Sequence, residues 1–347
     1  MSKKVSIKDI AKLTNTSITT VSFVLNGKGH ISKEISKKIL DTAKEIGYEP
    51  NRMAIGLRTG VSKVIGLVVE NIGGPFFGEM SKVIEAEAEK SGYRIIYCST
   101  DNNVQKGKDV IRMLTQQLVD GYIITPLKGL EEEVQKLMEQ GKPVVLVDGY
   151  FPGLNIPHVL VDNYNSVDKA VHCFLEGGYK KIGFVTSDLD LVQLEERLMG
   201  YQGALRRNGI ADDEALIFKV PYLAEKQEGI EQIKTFIKEH PEMDAILFNT
   251  NYLGVMGIIS VKELGLRIPQ DLAFISFDDT EIFSLYPPGI TTIQQPVYQI
   301  AKYGIDLLLS QIKGNSADMK SATKLQIASN LIERGSTLAK NALNSDL

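Results

Sequence analysis

Several polar and aromatic residues stand directly after apolar runs that have the length of β-strands. They are Asn71, Phe76, Phe77, Asp148, Asn251, Tyr252 and Asp278. Carboxylates and amides exchange hydrogen bonds with hydroxyl groups, and aromatic faces stack on the C–H side of a ring. Groups of these types favour non-covalent binding of a small polar molecule.

The histidines and glycines form no recognisable catalytic or metal-binding motif. The four histidines are His30, His158, His172 and His240. None of them lies in a motif that pairs a base with a nucleophile. The glycines at 27 and 29 lack the spacing of a phosphate-binding loop, and no cluster has the spacing of metal ligands. We therefore expect no enzymatic activity, no metal and no cofactor.

The first 30 residues carry the signals of two short helices joined by a tight turn. Ser6 precedes an apolar stripe and Asp9 follows three residues later, which is a variant of the capping box. Asn15 adopts positive φ more readily than most residues, as a turn between helices requires. Ser17 can cap the second helix, and Ser32 can cap a third over residues 33–46. The spacing is typical of a helix-turn-helix, whose second helix enters the major groove, and fits an ordinary three-helix bundle equally well.

The two helices have distinguishable inner and outer faces. In the first helix the inner stripe contains Ile7, Ile10, Ala11 and either Leu13 or Thr14. In the second helix the predicted inner face consists of Val21, Val24 and Leu25, and the predicted outer face of Ile18, Thr19, Thr20, Ser22 and Phe23. A small polar outer face is suited to contact with base edges.

Charge favours the nucleic-acid interpretation of this segment. Residues 1–60 hold 11 Lys and Arg against 5 Asp and Glu, whereas the remaining residues hold 28 against 38. A basic segment attached to an acidic body is the electrostatic signature of a DNA-binding head. Double-stranded DNA is thus the first expected partner.

From residue 62 onward, apolar runs alternate with amphipathic helices. Repeated βα units indicate a parallel sheet with helices on both faces, and two sets of them predict two doubly wound lobes. Ligands of open α/β sheets bind beyond the carboxyl ends of the strands. The polar and aromatic residues named first therefore map to a cleft between the lobes.

Length and composition agree with a globular protein of two or three domains. No run of about 18 apolar residues is present, so we expect no membrane partner. The N-terminus lacks an apolar signal core, which predicts a cytoplasmic location. Cys98 and Cys173 lie in apolar runs, and we expect buried free thiols there.

Four segments of the head resemble LacI-type transcriptional regulators (the LacI/GalR family): residues 5–13, 17–20, 21–27 and 43–51. The resemblance continues through the body to residues 334–337 and so covers nearly the whole chain. It implies a head at residues 1–49, a hinge helix at 50–61, and a bilobed periplasmic-binding-protein-like core at 62–340.

In that family the chain crosses three times between the two lobes of the core. The resemblance places the crossings near residues 160–162, 291–292 and 321–324. The N-terminal lobe would then contain about 62–161 plus 292–322, and the C-terminal lobe about 162–291 plus 323–340.

The resemblance also implies which residues contact operator DNA. In the head they are Ser6, Ile7, Ser17, Ile18, Thr19, Thr20, Ser22, Phe23, Asn26 and His30, and in the hinge Asn51, Ala54 and Leu57. Leu57 matches a leucine that wedges into a minor-groove base step. Many relatives have a cation where this chain has Phe23, so we expect a different base preference there. His30 fits a solvated loop residue equally well.

For the cleft, the resemblance implies an effector site formed by Asn71, Phe76, Phe77, Asp148, Arg197, Asn251, Tyr252 and Asp278. Arg197 matches the family's cleft arginine, whose fork of donors can hold two hydroxyls or a carboxylate. These residue types predict that the effector is a sugar or sugar derivative, with a nucleobase or a sugar phosphate as alternatives. Either phenylalanine could instead be helix-entry core, Phe76 more readily than Phe77. The chain departs from the family at Asn71, Gly74, Gly149 and Tyr252.

The family further implies a homodimer on a palindromic operator, switched when the effector changes the angle between the lobes. Two rival interpretations remain at this point. One is a regulator controlled by a protein partner, and the other is a stand-alone solute-binding protein, which leaves the basic head unexplained.

Overall fold

The structure is a computed structural model that describes residues 5–49, 60–314 and 323–343. The chain divides into two compact units, Met1–Ser62 and Lys63–Leu347, and each is described by itself. The small unit is helical, and the large unit contains two parallel sheets covered by helices. The predicted fold class, a helix-turn-helix head plus a bilobed α/β core, is confirmed.

The described part of the small unit contains three helices: α1 (Ile7–Thr14), α2 (Ile18–Leu25) and α3 (Lys33–Glu45). At the start of α1 the Asp9 carboxylate accepts hydrogen bonds from the backbone N–H of Ser6 at 2.9 Å and from its hydroxyl at 2.7 Å. Asn15 ends this helix in the left-handed conformation, with φ of 53°. The Ser17 hydroxyl accepts from the amide of Thr20 at 3.0 Å and caps α2. These caps are as the sequence predicts.

The core of the small unit settles which residue completes the stripe of α1. Thr14 is buried and its hydroxyl donates to the carbonyl of Ile10 at 2.8 Å, whereas Leu13 is 59% exposed. Ile10 packs with Val21 of α2 and with α3 residues in one apolar cluster. The bonded threonine is therefore the inward member of the pair.

In the large unit, residues 63–314 and 323–343 form twelve strands and ten further α-helices. The strands are β1 (Val64–Val69), β2 (Arg94–Ser99), β3 (Gly121–Ile124), β4 (Val144–Val147), β5 (His158–Val161), β6 (Ile182–Ser187), β7 (Ile217–Val220), β8 (Ala245–Phe248), β9 (Ala273–Phe277), β10 (Thr291–Gln294), β11 (Lys324–Ile327) and β12 (Asn330–Ile332). The helices are α4 (Pro75–Lys90), α5 (Val104–Gln116), α6 (Glu131–Glu139), α7 (Asn163–Glu176), α8 (Val192–Arg207), α9 (Lys226–Glu239), α10 (Asn251–Glu263), α11 (Glu281–Leu285), α12 (Val297–Ile312) and α13 (Lys340–Leu343).

The strands divide into two six-stranded sheets, one for each lobe. The first lobe has the strand order β11-β5-β4-β3-β1-β2, and the second has β12-β10-β9-β8-β6-β7. Every pairing is parallel except β10 with β12. Central strands such as β3, β4 and β8 are buried along their whole length, as strands covered by helices on both faces must be.

The three crossings between the lobes are present, but two differ in position from the prediction. The first follows β5, close to the predicted residues 160–162. The second follows β10, which pairs with β9 in the second sheet, so it lies at residues 295–296 instead of 291–292. The third lies at 328–329, because β11 pairs with β5 in the first sheet. The positions of these two crossings depend on which strands pair at the sheet edges. The apolar pattern of a single sequence does not show which strands pair.

The sequence also supports predictions about the two cysteines and about membrane-spanning helices. Cys98 and Cys173 are free thiols, but both are only half-buried. Among the described residues, no helix is long and apolar enough to span a membrane.

Candidate functional site

A cavity of about 540 Å³ lies between the two lobes of the large unit. Its walls come from residues just after β1, β4, β6, β8 and β9, together with the start of α8. All eight effector residues named from the sequence line it: Asn71, Phe76, Phe77, Asp148, Arg197, Asn251, Tyr252 and Asp278. The size is within the usual range for small-molecule sites, about 300–1,000 Å³.

The two aspartates owe their positions to sharp turns at strand ends. Asp148 follows β4 with φ of 68°, and Asp278 follows β9 with φ of 65°. Aspartate tolerates this left-handed conformation better than most residues, and it ends the strand so that the side chain points past the sheet edge. Gln193 Nε2 donates to Asp148 Oδ2 at 3.3 Å, and Gln295 Nε2 donates to Asp278 Oδ1 at 2.6 Å.

Arg197 is fixed within a buried hydrogen-bond network. Its Nε donates to Asn163 Oδ1 at 2.8 Å and its Nη1 to the carbonyl of Asn249 at 2.8 Å. The guanidinium lies over the ring of Phe277, 3.5 Å from the centroid. Asn163 in turn donates to Glu196 at 3.0 Å. These two hydrogen bonds use two of the five N–H donors of the guanidinium group. Arg197 lines the cavity, and its remaining N–H groups can donate to a ligand there.

Burial dominates the electrostatics of the cavity. Burial is the main reason that the pKa of Asp148 is raised to about 7; the charge of Arg197 acts in the opposite direction, and the charges of Asp278 and Glu70 act with burial. Burial likewise raises the pKa of Asp278, with Arg197 and Gln295 acting in the opposite direction. Burial lowers the pKa of Arg197, whereas both aspartates favour its charged form. The aspartates and the arginine therefore stabilise each other's charges in a site that excludes much of the solvent.

The aromatic residues of the cavity divide differently from the prediction. Phe77 is the buried one, 7% exposed and packed in the core of the first lobe, while Phe76 is only partly buried. The sequence allows a core position for either residue and favours Phe76 for it, whereas the structure has Phe77 there. The first turn of α4 rotates residue 77 toward the sheet and residue 76 toward the cleft, because successive helical residues point about 100° apart. Phe76, Phe77 and Tyr252 all line the cavity, and Phe76 and Tyr252 are the less buried of the three rings.

Sequence reasoning missed several polar residues that line the cavity. They are Glu70, Ser187, Gln193, Tyr222, Thr250 and Gln295. Glu70 directly follows β1 and so carried the same strand-end signal as its neighbour Asn71. Ser187 is the last residue of β6 and carried that signal as well. The other four lie on loops and on α8, whose approach to the cleft depends on the tertiary fold.

The outer face of α2 forms a second candidate surface, in the small unit. Ile18 and Phe23 are each 43% exposed and Thr19 is exposed, as predicted for residues that face base edges. Thr20 and Ser22 are half-buried. An exposed apolar and small polar helix face in a basic unit is suited to the major groove.

Local bonds restrain several predicted DNA contacts. Asn26 Nδ2 donates to the carbonyl of Ser22 at 2.6 Å, and the hydroxyls of Ser6 and Ser17 serve as capping groups. Phe23 lies against the loop after α2, since a Cβ on Gly29 would sit 3.2 Å from its ring. Its half-exposed ring has no hydrogen-bond donor.

Other predicted contacts give less structural information. Ile7 is half-buried against the core of the small unit, and His30 is exposed in the loop. The hinge residues Asn51, Ala54 and Leu57 lie outside the described residues.

The comparisons with known proteins cover both units. The family description "Bacterial regulatory proteins, lacI family" matches residues 6–51, and "Periplasmic binding protein-like domain" matches residues 171–337. The HTH-type transcriptional regulator KdgR of Bacillus subtilis is 32% identical over 316 residues, which is 89% of this chain and 92% of the relative. The ribose operon repressor of Halalkalibacterium halodurans is 28% identical over 98% of this chain and 99% of the relative.

Solved structures show the same fold. A crystal structure of the Lac repressor dimer bound to operator and the anti-inducer ONPF superimposes with a TM-score of 0.85 at 24% identity, over 97% of this chain and all of that one. The relatives with assigned names are transcriptional regulators, which agrees with a capped helix-turn-helix and a ligand-sized cleft in one chain. The chain belongs to the lacI family of bacterial regulatory proteins, and it is a ligand-responsive, DNA-binding transcriptional regulator rather than an enzyme.

Proposed function

We propose that this regulator is a homodimeric repressor that binds a palindromic operator and is switched by a sugar or sugar derivative in the cavity between its lobes. The observation that supports this most directly is the combination of groups in the cavity. Two carboxylates and a fixed guanidinium face two aromatic rings in a 540 Å³ space. Carboxylates and guanidinium groups hydrogen-bond hydroxyls, and the rings stack on the C–H face of a sugar.

The domain assignment belongs to the same proposal. Residues 1–49 would contact DNA through α2, with Thr19 and Phe23 at base edges and Ser22 and Asn26 near phosphates. Residues 50–61 would act as a hinge that places Leu57 in the minor groove. Two-fold symmetry of the dimer would require two inverted half-sites. Such a regulator would act in the cytoplasm, where the chromosome is.

The switch follows from linkage between the two sites. An effector that closes the cleft can change DNA affinity only to the extent that it binds the two lobe arrangements differently. Bonds across the cleft, such as the Gln193 to Asp148 bond, would be the contacts that differ between those arrangements.

The first test is thermal melting of the full-length protein with sugars, sugar phosphates and nucleobases. A ligand at about 100 times its Kd should stabilise the protein by about 2.7 kcal/mol. The matched control is Arg197→Lys, which keeps the charge but loses the fork. A stabilising compound that shifts this variant as much as the wild type binds elsewhere, and the cleft assignment then fails.

The second test addresses DNA. Selection from a random duplex library should return an inverted repeat, and affinity for it should fall steeply with salt because several phosphates must be neutralised. A compound that stabilises the protein in the melting experiment should then change the affinity of the protein for the selected DNA. A selected site without two-fold symmetry would contradict the dimer, and a shallow salt dependence would contradict the basic head as the docking surface.

If no compound in the panel stabilises the protein, control by a protein partner becomes the better proposal. DNA binding would stand in that case, because it rests on the small unit.

A further inference from the structure

Glu70 is a third carboxylate in the cavity, contributed by the first lobe at the end of β1. It is half-buried and accepts a hydrogen bond from the hydroxyl of Tyr222, on the second lobe, at 2.8 Å. The amide of Tyr222 is itself bonded to Asp188 Oδ1 at 2.8 Å, which fixes the loop that carries the ring. Glu70 is therefore held in place across the cleft.

The charges of the cavity do not balance. Glu70, Asp148 and Asp278 all line it, and among the described residues Arg197 is the one basic side chain that does so. The three carboxylates are close enough for Glu70 and Asp278 to raise the pKa of Asp148, alongside the larger effect of burial. Arg197 faces Asp148 and Asp278, whose charges favour its protonated form. Glu70 is then an acidic group without a basic counterpart in the cavity.

Several acceptors in the cavity have unused hydrogen-bonding capacity, beside the donors of Arg197 and of the Ser187, Thr250 and Tyr252 hydroxyls. An ionised carboxylate only accepts hydrogen bonds, and Glu70 and Asp278 have more lone pairs than the bonds from Tyr222 and Gln295 use. Gln295, only 6% exposed, also presents a buried Oε1 that has no partner. A buried acceptor without a donor is costly, so the cavity is complementary to a ligand rich in donors.

We propose that Glu70, positioned by Tyr222, is a specificity-determining residue that restricts the effector to donor-rich polyols without an anionic group. Uncharged sugars and amino sugars meet this requirement. Sugar phosphates and sugar acids do not, because they add negative charge to a cavity that already has more acidic than basic groups. This inference rests on the proposed function and specifies the ligand class of the same site.

The size of the discrimination follows from Coulomb's law. With an effective dielectric constant of about 20, an unneutralised charge about 6 Å away changes affinity by roughly 100-fold. An anionic derivative should therefore bind at least about 100-fold more weakly than the uncharged sugar from which it derives.

The experiment compares matched compounds on the full-length protein by calorimetry and thermal melting. Glucose, galactose and ribose are each tested beside their phosphates, and the two hexoses also beside their aldonic acids and amino sugars. Binding should be confined to uncharged and amino-bearing members. An anionic member that binds as tightly as its uncharged parent overturns the proposal.

Glu70→Gln is the decisive variant, because glutamine can still accept the Tyr222 hydrogen bond but carries no charge. It should reduce the discrimination against anionic members at least about tenfold. The matched control is Glu239→Gln, an exposed carboxylate at the end of α9, which should leave discrimination unchanged. Equal discrimination in wild type and Glu70→Gln would remove Glu70 from the specificity mechanism.

Thermal melting of the unliganded variant tests this inference separately from the proposed function. Removing an unbalanced buried charge should raise the melting temperature of unliganded Glu70→Gln above wild type at pH 8 by roughly 2 °C. If no sugar binds but this rise is found, the sugar-type function fails while the charge imbalance stands. If the variant melts at or below the wild-type temperature, the charge argument itself is refuted.

Discussion

Replacing Asp148 with asparagine should make the stability of the protein less dependent on pH. Asp148 is 8% exposed at the end of β4, and burial raises its pKa to about 7 from 3.8. A shift of about 3 units corresponds to about 4 kcal/mol of differential interaction between the two protonation states.

The sign of the effect is set by which state binds the proton more tightly. Because the folded-state pKa is the higher one, the folded protein retains the proton at a pH where the unfolded chain has lost it. The free energy of unfolding therefore falls as pH rises from about 4 to about 7 and then levels off. Asparagine has no such titration, and it can still accept the bond from Gln193.

The assay is urea unfolding followed by circular dichroism, since the chain contains no Trp. The stability of Asp148→Asn relative to wild type should increase by roughly 3 kcal/mol between pH 5 and pH 8. The control Glu239→Gln removes an exposed carboxylate instead. If the difference between Asp148→Asn and wild type is the same at every pH, the carboxyl is not buried as described and the reasoning is refuted.

Three further predictions concern other parts of the molecule. Phe23→Arg should shift the operator preference toward guanine at one base pair of each half-site, as read by selection from random duplexes; an unchanged preference would show that Phe23 does not read bases. Gly254→Ala should destabilise the second lobe by about 1–3 kcal/mol in urea unfolding, because the added Cβ would lie 2.2 Å from Ser276 Oγ. Gly78→Ala serves as the control, since a Cβ at residue 78 would make only ordinary contacts. Arg197→Lys should weaken the binding of any cleft ligand at least about tenfold, as measured by calorimetry, and should leave the operator affinity of the unliganded protein unchanged. A variant that loses operator affinity but not ligand affinity would contradict the role of Arg197 in the cleft.

The small unit was predictable because its signals are local. The capping groups Ser6 and Ser17 and the turn residue Asn15 act within a few residues of their own positions, and the structure has each in the predicted role. Strand-end polar residues such as Asp148 and Asp278 could be placed at the cavity for a related reason: parallel strands bring their carboxyl ends to one edge.

Features that depend on distant parts of the chain could not be predicted in the same way. Tyr222 contacts Glu70 across 152 positions of sequence, and no periodicity encodes that approach. The edge strands β11 and β12 are only four and three residues long and are not fully buried. So short a segment does not show which sheet it joins, and two of the predicted crossings were therefore misplaced. The rotation that buries Phe77 rather than Phe76 is fixed only once α4 packs on its sheet.

The third crossing has a consequence for how the protein is made. Strand β11, at the edge of the first sheet, is translated long after its neighbour β5, and β12 of the second sheet follows two residues later. Neither lobe therefore has all of these strands until synthesis has passed residue 332, whereas the helices of the small unit are available to fold much earlier. A stop codon just before residue 324 would therefore expose β5 in one sheet and β10 in the other as new edge strands, rather than damage one lobe.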